Sequence, residues 1–189
     1  MTLRATAALT VVLIFLAAPL HAATLEQIVT PFALPATSLD DGPSWESAAK
    51  AAGIRWKQAE PRRYGAGRSS RGGTTRLQGH GTAWVYLSGS EDFVSEIDVS
   101  VSEKEGKIFE QEEFSKVLRS QFRRGTPIRL LSKCSFGSIA GMAVYEVVLK
   151  GRKPIYIAVM TDSGGKMPNT RSSSFQVSQR VEERWTCGG

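Results

Sequence analysis

His80 stands between Gly79 and Gly81 and is the one imidazole outside the N-terminal leader. An imidazole base needs a nucleophile and an orienting acid, which a Ser-His-Asp site brings together only in space. No Gly-x-Ser-x-Gly turn is there to present a serine. A Cys134–His80 pair would require a free thiol. Glu96, Asp98 and Glu110 are carboxylates from which a pair for glycoside cleavage could be drawn, with Glu96 and Asp98 on one polar strand face. Cys134 and Cys187 are the only cysteines, so with His80 they leave no cluster for zinc. The acid-rich stretch 91–113 lacks the spacing and glycine of a calcium loop. The glycine-rich stretch 65–81 lacks the Gly-Lys-Ser/Thr ending of a nucleotide loop. No metal or cofactor is expected.

The other chemistry is recognition. Arg62, Arg63, Arg68, Arg71 and Arg76 fall in an acid-free run, and a guanidinium suits two-pronged contact with carboxylate or phosphate. Trp84, Tyr86, Tyr145, Tyr156, Phe175 and Trp185 lie on expected strands. Strand aromatics usually fill a core, but exposed ones make contact platforms.

The elements that must position these residues read as α+β. Phe114, Val117, Leu118 and Phe122 form one helical face over 110–124. Acids crowd its first turn and arginines its last, as the helix dipole favours, and Gly125 and Pro127 follow as stop residues. Trp45, Ala48, Ala49 and Ala52 give a second helical stripe over 43–52. Strands are expected at Ile54–Lys57, Thr82–Ser88, Phe93–Val101, Ile128–Cys134, Met142–Leu149 and Ile155–Met160. A last alternating run places Phe175, Val177, Val181 and Trp185 on one face, and Gln176, Ser178, Arg180 and Arg184 on the other, wet one. Residues 61–81, rich in arginine and glycine, read as a flexible loop or long hairpin crossing. The order of elements fits a largely antiparallel sheet with helices packed on one face, as two tandem α-β-β-β units over 40–102 and 108–189.

Residues 1–23 read as a secretory signal peptide. Arg4 supplies the positive start, Ala5 to Leu20 the apolar stretch, and small residues allow cleavage after Ala22 or Ala23. The apolar stretch is short for a membrane span, and no later stretch is apolar enough, so no span is expected in the mature chain. Residues 24–189 then form a single exported domain, periplasmic or secreted, in an oxidising compartment where Cys134 and Cys187 should bridge.

The formal net charge of +6 is unevenly spread. Residues 91–113 carry nine acids and two lysines, and residues 114–153 nine bases and one acid. Such blocks either steer a charged partner or neutralise one another across the fold. Export and the lack of any binding motif argue against nucleic acid. The expectation is a non-enzymatic envelope protein that binds another macromolecule, foremost another protein, in an inhibitor- or immunity-like role. The alternatives are a hydrolase using His80 or the carboxylates, and a module binding an anionic envelope polymer or lipid head groups through Arg62–Arg76.

Overall fold

The computed structural model describes residues 22–57, 62–64, 67–136, 140–162 and 171–187, without the side chains of Arg63 and Tyr64. Of the leader expected over 1–23, only Ala22 and Ala23 fall within the described residues.

Nine strands among these residues form one antiparallel sheet. They are β1 (Arg55–Trp56), β2 (Arg62–Tyr64), β3 (Arg68–Leu77), β4 (Gly81–Gly89), β5 (Val94–Ser102), β6 (Ile128–Phe136), β7 (Ala140–Val147), β8 (Ile155–Asp162) and β9 (Ser172–Ser178). The helices are α1 (Leu25–Val29), α2 (Trp45–Ala51) and α3 (Gln111–Gln121), with 3₁₀ turns at Thr30–Phe32 and Glu183–Trp185. No helix among the described residues is long and apolar enough to cross a membrane.

The strand order is β1-β3-β4-β5-β9-β8-β7-β6, with β2 paired to β3. Each half is therefore a helix followed by a meander, and the two meanders meet where β5 pairs with β9. The α+β class expected from the sequence is present, as a single antiparallel sheet. The first half has two strands more than expected, because residues 61–81 take the hairpin form and not the flexible-loop form of that reading. Most of them form β2 and β3, while 58–61 and 65–66 lie outside the described residues.

A glycine of β3 explains why the loop form was as plausible on sequence. A side chain at Gly73 would put its Cβ 2.5 Å from the Arg55 carbonyl oxygen, so glycine there lets β1 approach the sheet. At Gly72 a Cβ would make only ordinary contact with the Tyr86 ring, 3.7 Å away, so the close approach is confined to Gly73. Glycine in a strand marks close approach by a neighbour as readily as it marks a turn.

The last alternating run is also corrected. β9 stops at Ser178, whose Oγ accepts from the Arg180 N–H in a serine turn that breaks the ladder. Val181 is exposed and Trp185, carried on the 3₁₀ turn, is buried. Nor does β9 have a wet face: it is flanked by β5 and β8, and Phe175, Gln176, Val177 and Ser178 are all buried. α3 ends at Gln121, earlier than expected, because Phe122 is extended and its side chain is buried.

One face of the sheet meets all three helices in the main core. Leu87, Ile97, Ile157, Val177 and Phe175 from the strands pack with Phe114 and Leu118 of α3. Ala48 of α2 and Ile28 of α1 join the same cluster. The opposite face carries only a small cluster of Cys134, Met142, Val144, Ala158 and Trp185. Cys134 and Cys187 are disulfide-bonded, with Cα atoms 5.6 Å apart, which holds the Trp185 segment against that second face. The acidic block is partly neutralised: Glu112 pairs with Lys133 of the basic block at 3.8 Å, and Glu110 with Arg171 at 3.1 Å and Glu96 with Arg184 from the C-terminal segment.

Candidate functional site

Antiparallel register determines what the second face presents. Ser70, Ser88, Glu96 and Ser178 form one row across β3, β4, β5 and β9. Gly72, Tyr86, Asp98 and Gln176 form the next row, and Thr74, Trp84, Ser100 and Ser174 the one after. Side chains two residues apart share a face, so these rows lie side by side. Trp84 and Tyr86 stand out from this surface, 49% and 46% exposed.

Ser70, Ser88 and Glu96 of the first row and Tyr86, Asp98 and Gln176 of the second floor a groove of about 820 Å³. Arg68 of β3 stands on its wall, and Arg180, Glu182 and Arg184 of the C-terminal segment also line it. The side chains inside are held in a chain of hydrogen bonds. Buried Trp185 donates its Nε1–H to Gln176 Oε1 at 2.8 Å, and Gln176 donates through Nε2 to Asp98 Oδ2 at 2.7 Å. Indole is a donor only and a carboxylate an acceptor only, so the two contacts fix the orientation of the amide. Arg184 donates to Glu96. Ser70 Oγ is buried with no hydrogen-bond partner among the described residues.

Burial pushes the Asp98 carboxyl above its ordinary range, against the opposing pull of the Gln176 bond and of Arg184. Burial raises Glu96 as well, opposed by its pairing with Arg184. A carboxyl raised in the folded state binds its proton more readily folded than unfolded. The stability it contributes is therefore present at acid pH and lost as pH climbs from the ordinary carboxylate range through the raised native values. Asp98→Asn is accordingly expected to stabilise the protein at neutral pH and to flatten this fall. Urea denaturation at about pH 4 and about pH 7 measures both. A variant less stable than the wild type at neutral pH would overturn the assignment.

His80 lies elsewhere. It sits in the β3–β4 turn, donates from Nδ1 to the Lys107 carbonyl at 2.6 Å, and stacks 4.1 Å from Phe109. Burial lowers its pKa, with the Lys107 charge adding to this and the carbonyl bond opposing it. Along the strands it is on the order of 15 Å from the Asp98 row. His80→Ala is expected to reduce stability by about 1 kcal/mol, the worth of one hydrogen bond, and to leave ligand binding unchanged. Thermal unfolding and a binding assay on the same sample test the two parts.

The five arginines do not converge. Arg68 lines the groove, and Arg62 pairs opposite Ser70 and is exposed. Arg71 faces the helix side, its guanidinium 3.9 Å over the Trp56 ring. Arg76 lies at the far end of β3, and the Arg63 side chain is outside the described residues. Of the three carboxylates, Glu96 and Asp98 share the groove, while Glu110 is engaged by Arg171. Gln176, Arg184 and Ser70 were not singled out by sequence. The first two do fall on the polar face of the last alternating run, and Glu96 and Asp98 on the polar face of β5. Knowing that β5 pairs with β9 would have brought them together.

The chain matches no protein-family model, no curated protein and no solved structure.

Proposed function

We propose that this is an exported binding protein that engages another macromolecule through the sheet face its helices leave open. The observation that carries this reading is the pair Trp84 and Tyr86. They are large aromatics about half exposed on that face, beside a groove of charged and hydroxyl side chains. Aromatic side chains with arginine at hand are the usual anchors of binding surfaces. Binding is favoured over catalysis because the reactive groups are already engaged: His80 by Lys107 and Phe109, Glu96 by Arg184, and Asp98 by Gln176.

Export rests on the leader and the disulfide. Ala23 adds to it: its N–H donates to the Arg76 carbonyl and its own carbonyl accepts from Gln78, so cleavage after Ala22 keeps both bonds. The intact mass of the mature protein reads the cleavage point.

The test is capture from envelope and medium with disulfide-intact mature protein, alongside a Trp84→Ala/Tyr86→Ala variant. A stoichiometric partner held by the wild type and lost by the variant is the expected result. A partner held equally by both would place binding elsewhere.

A hydrolase reading has one observation in its favour, two desolvated carboxylates in one groove. It requires that Glu96→Gln or Asp98→Asn abolish turnover while binding survives. Polyanion binding through Arg62–Arg76 has weaker support, since Arg68, Arg71 and Arg76 do not share a patch.

A further inference from the structure

We propose that the groove takes a neutral, hydroxyl-rich glycan chain. This rests on the reading of the open face as the binding face and names the class of partner.

The first argument is charge. Four acids (Asp41, Glu96, Asp98 and Glu182) and three arginines (Arg68, Arg180 and Arg184) line the groove. Two arginines are committed to acids within the set: Arg184 to Glu96, and Arg180 to Glu182 at 3.5 Å. An anionic polymer would set its charge against the carboxylates of the floor, and a polycation would meet the arginines. A neutral ligand meets neither penalty.

The second argument is hydrogen-bond grammar. A carboxylate only accepts, a guanidinium only donates, and a hydroxyl does both. Here acceptors and donors alternate over short distances, with Glu96 in register beside Ser88, and Asp98 beside Tyr86. A sugar ring answers this mixture, since each hydroxyl can donate to Asp98 or Glu96 while accepting from a serine or an arginine. Ser70 gives an independent sign of a ligand site. It is only 3% exposed, its Oγ has no partner among the described residues, and it lines the groove. Buried hydroxyls are nearly always satisfied, so one left open inside a groove marks a place for a ligand group.

The third argument is surface. Tyr86 lies over Gly72 and lines the groove, and Trp84 follows two residues away on the same face. Flat aromatic faces cover the C–H face of a sugar ring while its hydroxyls turn to the polar side chains.

The experiment titrates the mature, disulfide-intact protein with two neutral tetrasaccharides, chitotetraose and cellotetraose, followed by backbone amide shifts. An oligogalacturonate and a tetralysine peptide are run in parallel. The expected result is saturable shifts centred on Ser70, Ser88, Glu96 and Asp98 with at least one neutral tetramer. Tyr86→Ala and Asp98→Asn should each weaken it about tenfold or more. Arg76→Ala, at the far end of β3, should leave it unchanged. Amide dispersion in each variant confirms folding. Absence of shifts with both neutral tetramers, shifts unaltered in Tyr86→Ala, or groove shifts only with a charged probe would each overturn the glycan assignment. If the neutral tetramers fail while a captured protein is still lost from the Trp84→Ala/Tyr86→Ala variant, the glycan assignment falls and the binding face stands.

Discussion

Replacing Cys134 and Cys187 together by alanine is expected to lower stability by about 4 kcal/mol. The bridge spans 53 residues of sequence, and closing a loop of that length removes entropy from the unfolded chain to about this extent. The bridge also holds Trp185 against β6, β7 and β8, where it packs with Cys134, Met142, Val144 and Ala158. Its loss should therefore free the C-terminal segment before the sheet unfolds. Urea denaturation with and without reductant measures the first effect. A red shift of tryptophan emission ahead of the main transition reports the second. An unchanged midpoint after reduction would remove the bridge from the stability of the fold. Release of this segment would also disturb Gln176, Asp98 and Glu96, so reduction should weaken binding at the groove.

Phe175→Ala is expected to cost about 3–5 kcal/mol, the range for deleting a fully buried phenylalanine. Phe175 lies on β9, in the middle of the sheet, and is completely buried. Its ring meets Phe109 edge-on at 5.3 Å and stands 6.2 Å from Phe114, so truncation opens a cavity where α3, its leading loop and the sheet converge. Phe136→Ala is the contrast: half exposed on edge strand β6, it should shift stability by no more than about 0.5 kcal/mol. Denaturation midpoints at constant slope separate the two. Comparable losses would mean that the sheet has no dominant packing centre.

Local patterns read well from sequence because their periods belong to the backbone. The stripe of Phe114 and Leu118 found α3, and the alternation of Ile97, Val99 and Val101 found β5. The disulfide followed from the expected compartment and the cysteine count. β3 was read no further than loop or hairpin because a glycine such as Gly73 answers to a neighbour, Arg55, that no local pattern shows. Trp185 was misassigned because alternation continues on paper past Ser178, where a serine turn ends the strand. The groove was half legible. Its two polar faces were each visible, but the pairing of β5 with β9 joins segments far apart in the chain, and no local pattern encodes that.

That central pairing has a consequence for how the chain comes into being. β5 is complete at Ser102, yet its inner neighbour begins only at Ser172. A chain emerging amino end first carries β3, β4 and β5 as a meander with a bare edge until β6, β7, β8 and β9 have followed. The closing contact is therefore among the last to form, and such distant pairing is slow. Until then the chain can still be threaded, which suits a protein that we propose crosses a membrane before it folds. The same delay leaves the edge of β5 open to pairing with another nascent copy, a vulnerability that lasts until β9 arrives.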